Sequence, residues 1–178
     1  MLRLIAPDGT RRENSTSPES VHAFVTDMGL LMPLAELQPL EPNGLSEGGR
    51  TLARVVLTST RAWMTRDVEI AGEVTAEWEL PAGALRVAGV AELPKACRDW
   101  GDFTLTLYAV GENGERLQKV SARINRDKAA VEFNLSLPPG ARRFGAELDP
   151  GEDGPIQDRV RLSRALILLD PTITPRKP

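Results

Sequence analysis

The sequence predicts an all-β fold, an antiparallel jelly-roll-like β-sandwich with one short N-terminal helix and an extended Pro/Leu-rich arm. From Phe103 onward apolar residues fall at every second position: Phe103, Leu105, Leu107 and Ala109, then Val120, Ala122 and Ile124, then Val131, Phe133, Leu135 and Leu137. A period of two places them on one face of a sheet. Between these runs lie Gly111-Glu112-Asn113-Gly114-Glu115, Asn125-Arg126-Asp127-Lys128 and Pro138-Pro139-Gly140-Ala141, residues that accept tight turns or positive φ. A single cysteine, Cys97, leaves the core to hold by packing, without an intrachain disulfide framework.

Leu2 to Ala6 reads as a short strand, ended by the turn signal Pro7-Asp8-Gly9-Thr10. Ser17 is then placed as an N-cap with Pro18 at the first helical position. Val21, Phe24, Val25 and Met28 follow at helical spacing and Gly29 supplies a stop, so a helix is expected over Pro18 to Met28. From Leu30 to Gly49, Pro33, Pro39 and Pro42 are spaced among Leu31, Leu34, Leu37, Leu40 and Leu45. The prolines exclude a helix or a central strand, whereas the leucines call for burial. An extended arm satisfies both, draped over its own sandwich or over a neighbouring subunit.

Strands resume over Leu52 to Ser59. Val74, Ala76, Trp78 and Leu80 alternate against Thr75, Glu77 and Glu79, which assigns Trp78 to the core. Leu85 to Leu93 is a strand in which Gly89 marks a bulge or a close backbone approach. Phe144 to Leu148 and Val160 to Leu169 complete the sheets. With Leu166 to Leu169 apolar in series, the last strand is expected to be buried on both faces or covered by the arm. The chain therefore divides into residues 1–50 (strand, helix and arm), 51–170 (sandwich) and 171–178 (tail).

The segment from Leu135 through Pro138-Pro139-Gly140-Ala141 to Gly154, with Asp158-Arg159-Val160-Arg161-Leu162 after it, resembles the closing strands of galactose-binding-like jelly rolls. Trp100-Gly101-Asp102, the strand after it and the Gly-Glu-Asn-Gly hairpin resemble the middle strands of the same group, which includes the carbohydrate-binding modules appended to glycosidases. The resemblance spans about Val74 to Leu169. It implies a non-catalytic role, often the recognition of sugars.

Sugar sites stack the apolar face of a pyranose on an exposed aromatic and fix its hydroxyls with polar groups. With aromatics only 4% of the chain, the candidate platform reduces to Trp63 and Trp100, in turn-like contexts, and Tyr108, on the polar phase of its strand. No catalytic residues are assigned. His22 is the only histidine and has no evident partner, and Cys97 has only Arg98 beside it to lower its pKa. The loop from Asp149 to Asp158 supplies four carboxylates, Asp149, Glu152, Asp153 and Asp158, a weak calcium candidate whose spacing is not that of an EF-hand. No other cofactor is expected.

A formal net charge of −3 and a pI near 5.3 give no general attraction to nucleic acid. No run approaches the eighteen or so apolar residues of a membrane span, and the N-terminal apolar run is too short for a signal peptide. The expected partners are protein subunits of an oligomeric assembly and a glycan, not nucleic acid or membrane. Synthesis in the cytoplasm is expected, with later incorporation into a particle where the protein is a virion component. The Pro/Leu-rich arm and the tail favour a structural subunit of such an assembly, a phage decoration, capsid-associated or tail-fibre-type protein. A glycan-recognising module is the alternative, and an enzyme ranks third.

Overall fold

The computed structural model describes residues 2–5, 11–14, 30–40, 43–44, 53–57, 66–151, 154 and 157–173. The expected helix from Pro18 to Met28, His22 and the last five residues of the tail lie outside them. Thirteen strands occur among the described residues: β1 (Leu2–Ile5), β2 (Arg11–Asn14), β3 (Leu31–Pro33), β4 (Asn43–Gly44), β5 (Ala53–Leu57), β6 (Arg66–Ala71), β7 (Val74–Glu79), β8 (Ala84–Glu92), β9 (Phe103–Val110), β10 (Arg116–Ile124), β11 (Ala130–Ser136), β12 (Arg143–Pro150) and β13 (Arg159–Leu169). Apart from the β1–β2 hairpin they form two antiparallel sheets. One runs β10-β9-β12-β7-β4; the other runs β11-β8-β13-β6-β5, with β3 alongside β13. This is the all-β sandwich the sequence predicts.

The inner faces come from the alternating positions. Phe103, Leu105, Leu107, Trp78 and Phe144 project from one sheet, and Val87, Leu135, Leu162 and Ile167 from the other, all buried. Trp78 and Phe144 pack with ring centroids 5.7 Å apart. Each such side chain contributes about 1.5–3 kcal/mol on leaving water. The pattern weakens along β10, where Ile124 is buried but Val120 is exposed. As an edge strand, β10 has no strand paired on one side among the described residues, and a small apolar slot of about 150 Å³ opens there between the sheets.

The arm packs on its own chain. Leu31 to Pro33 pair with Leu168 to Leu166 of β13, Leu34 is fully buried in the core, Pro39 bridges to Trp78, and Asn43–Gly44 pair with β7. Residues 31–40 and 43–44 thus contact both sheets. Extended backbone rich in proline suits this path, because it presents few donors and needs only edge pairing.

The last strand departs from expectation. β13 is not buried on both faces, and the arm lies beside it in the plane of the sheet. Val160 and Leu162 point inward, as do Ala165, Ile167 and Leu169, while Leu168 is exposed. The phase change comes from a bulge: Ser163 pairs with Val90 and Leu166 with Ala88, so Arg164 and Ala165 stand opposite Gly89 alone. A Cβ on Gly89 would come within 2.9 Å of both Ala165 Cα and Phe133 Cζ. The close approach signalled by this glycine is therefore real, and it accommodates the bulge. β6 was not expected from the sequence, because its apolar pair Val68 and Ile70 is interrupted by Asp67 and Glu69.

Candidate functional site

Four connections cross from one sheet to the other at the same end of the sandwich: β6 to β7, β8 to β9, β10 to β11 and β12 to β13. Backbone bonds tie them together. Gly72 N–H donates to Asp158 O (2.8 Å), Gly151 N–H to Asp102 O (2.8 Å), and Leu93 N–H to Ala129 O (2.7 Å). Loops knitted in this way hold side chains at fixed positions despite lying at the surface.

Within this end the β8–β9 loop carries the exposed aromatic. Pro94 precedes a short 3-10 turn, Lys95–Cys97, and the buried Cys97 anchors it, its carbonyl accepting from Gly101 N–H at 2.8 Å. A Cβ on Gly101 would lie 2.6 Å from Leu93 Cδ1 and 2.9 Å from Cys97 O. The backbone therefore turns in against the core at Gly101, and the preceding side chain, Trp100, is turned out with 63% of its surface exposed.

Two residues on, Asp102 is held from both ends. Its N–H donates to Asp158 Oδ1 (3.0 Å), and its carboxylate accepts from Arg123 through Nε (2.8 Å) and a terminal nitrogen (2.5 Å). The Arg123 hydrogen bond and charge hold the Asp102 carboxyl below its ordinary pKa. An exposed indole thus lies in sequence beside a carboxylate fixed by a guanidinium from β10. Chemically this can stack one face of a sugar ring and hydrogen-bond its hydroxyls. Arg123 is the residue that sequence reasoning missed; it lies 21 residues from Asp102, and only strand pairing brings the two together.

The other candidates are not gathered around Trp100. Trp63 lies outside the described residues. Tyr108 does occupy the polar phase, on the outer face of the five-stranded sheet, yet it is 1% exposed. Its ring lies across Gly145, the Arg116 guanidinium sits 4.0 Å above the ring centroid, and its hydroxyl donates to Glu77 at 3.3 Å. Arg116 is paired in turn with Glu147, and Arg143 with Glu77. Burial together with the Glu77 charge pushes the Tyr108 pKa up to about 12. A ring covered on both faces is no stacking surface, so Tyr108 is removed from the platform.

Glu152 and Asp153 of the carboxylate loop lie outside the described residues. Asp149 is exposed, whereas Asp158 is 3% exposed. Asp158 Oδ2 is buried without a hydrogen-bond partner, and burial raises the Asp158 pKa. That orphan oxygen is of the type a cation takes, but no cluster of three or more His, Cys, Asp or Glu suited to a metal ion occurs among the described residues. Burial, the largest influence, raises the Cys97 pKa despite the charge of Arg159.

No protein-family model matches the sequence, and no curated protein matches it. Solved structures share its fold. The CBM51-2 and INT domains of Clostridium perfringens ZmpB superpose with a TM-score of 0.58 at 10% identity, over 78% of this chain and 31% of that one. CBM51 from Clostridium perfringens GH95 in complex with methyl-galactose gives 0.56 at 11%, over 77% and 99%. The tandem CBM51 modules of Sp3GH98 from Streptococcus pneumoniae SP3-BS71 give 0.57 at 10%, over 90% and 53%. This chain spans about a third of the ZmpB structure and nearly all of the GH95 module. The β-sandwich fold is that of these carbohydrate-binding modules; at such identities the likeness concerns fold.

Proposed function

We propose that the protein is a non-catalytic, glycan-recognising β-sandwich module that engages a sugar ring at Trp100, with Asp102 and Arg123 supplying polar contacts. The observation that carries this reading is the 63% exposed indole at the end of the sandwich where four loops are bonded together. An indole held outward on a bonded loop offers the flat apolar face on which a sugar ring stacks. The shared fold supports the same reading, since one such module was solved with methyl-galactose and another with GlcNAc.

The competing expectation, a subunit of a phage or similar particle, drew on the arm and the C-terminal tail as segments exchanged with neighbours. Residues 30–40 pack on their own sandwich, and the shared fold favours the glycan reading over the particle subunit. The test is a glycan array followed by titration calorimetry with wild-type protein and Trp100→Ala. The expected result is saturable binding that Trp100→Ala weakens at least tenfold with an unchanged melting temperature, since the indole supports little of the core. Binding that survives the substitution overturns the site.

A further inference from the structure

The β13 bulge sits in the middle of the sheet, not at an edge, and it is built with a residue unsuited to it. Arg164 has φ = +51°, the left-handed conformation that glycine normally supplies at such bulges. For a residue with a Cβ this costs on the order of 1–2 kcal/mol. Buried Asp67 holds the arrangement in place: one of its carboxylate oxygens accepts from Arg164 N–H (3.3 Å), and the other stands 3.3 Å from Ser163 Oγ, which also contacts Glu92. An unfavourable conformation maintained by a dedicated buried carboxylate calls for a role, and a bulge re-aims a side chain.

The Arg164 side chain lies on the outer face of the six-stranded sheet, lining an open trough of about 730 Å³, a volume within the range of ligand sites. Ala88, Val90 and Leu166 make an apolar floor, while Arg86, Glu132 and Asn134 line it with polar groups. Arg86 and Arg164 are both exposed. Neither guanidinium has an ion-pair or hydrogen-bond partner among the described residues, unlike Arg116, Arg143, Arg159 and Arg161. Glu132 is the one carboxylate lining the trough. The site therefore carries net positive charge over an apolar floor.

We infer that this trough is a second binding site, distinct from Trp100, for an oligosaccharide bearing an oxyanion, carboxylate or sulfate, which Arg164 and Arg86 clamp over the apolar floor. This inference rests on the reading of the protein as a glycan binder. Planar, bidentate pairing with carboxylate or sulfate oxygens is what a guanidinium does better than an ammonium.

The experiment titrates wild-type protein, Trp100→Ala, Arg164→Gly and Arg86→Gln with galacturonic acid trimer, a sulfated galactose oligosaccharide and neutral galactotriose. Arg164→Gly keeps the bulge, because glycine adopts positive φ freely, and removes only the guanidinium. The expected result is that at least one charged probe binds tenfold or more tightly than galactotriose. Arg164→Gly and Arg86→Gln each weaken that binding at least tenfold, Trp100→Ala leaves it intact, and Arg164→Gly melts at or above the wild-type temperature. Which probe binds distinguishes carboxylate from sulfate. If galactotriose binds as well as both charged probes and is lost in Trp100→Ala, the trough is refuted while the Trp100 reading stands. If a charged probe binds equally to both arginine variants, the trough is refuted as well. If no probe binds any protein, both readings fail.

Discussion

Gly145→Ala tests whether Tyr108 is a structural residue or a binding platform. An ideal Cβ at position 145 falls 2.3 Å from Tyr108 Cε2 and Cζ and 2.7 Å from its hydroxyl oxygen, about 1 Å inside ordinary contact. Backbone entropy alone would make alanine in a strand more stable than glycine by about 0.5–1 kcal/mol, so any loss measures the contact. Forcing the ring aside incurs overpacking of about 1–3 kcal/mol. It also separates the ring from Arg116, worth about 0.5–1 kcal/mol, and breaks the hydrogen bond to Glu77, worth about 1 kcal/mol. The net expectation is a loss of about 2–4 kcal/mol. For a chain of this size that corresponds to a fall in Tm of roughly 5–15 °C. Urea denaturation followed by circular dichroism measures it, together with Tyr108→Ala and the double variant. The double variant should lose at least about 1 kcal/mol less than the two single losses combined, because with the ring gone the methyl has nothing to strike. Stability within about 0.5 kcal/mol of wild type for Gly145→Ala, or strict additivity, would refute the packing and return Tyr108 to the list of candidate platforms.

Leu34→Ala should cost about 3 kcal/mol by opening a cavity beneath the arm, and both parent and variant should melt at temperatures independent of protein concentration; a midpoint that climbs with concentration would indicate exchange of the arm between chains. Asp158→Asn should raise Tm at pH 7, because the folded pKa of Asp158 is elevated by burial and the folded state therefore holds its charged form at a cost. The sign follows from linkage: that cost disappears as the pH falls through the folded pKa toward the unfolded value of about 3.9, so the advantage of Asn should shrink there. A lower Tm for Asp158→Asn at pH 7, reproduced in wild type by EDTA, would instead indicate calcium at the Asp149–Asp158 loop.

The fold was legible because alternation is a local property. Runs such as Phe103 to Ala109 and Val131 to Leu137 announce which face is dry wherever they pair, and Gly89 announced a tight place before its cause was known. The site was legible in part. Trp100 and Asp102 stand two apart in sequence, but Arg123 reaches Asp102 only because β10 pairs with β9, and pairing is not written in either residue. β6 went unseen since two apolar residues among charges make a weak signal.

What the sequence determined by itself is therefore the class of fold, the inward face of the long strands and the assignment of Trp78 to the core, all consequences of a period of two. Tertiary structure alone decided the fate of residues whose environment comes from distant strands. Tyr108 has the polar phase of an exposed side chain and is buried, because Gly145 on the neighbouring strand leaves room for its ring and Arg116 covers it. Arg164 reads as an ordinary surface arginine and is held at positive φ by an aspartate 97 residues away. The arm, whose leucines and prolines name no partner in sequence, takes its place by pairing with β13 and β7. In each case the deciding contact spans a long stretch of chain, and local periodicity carries no information about it.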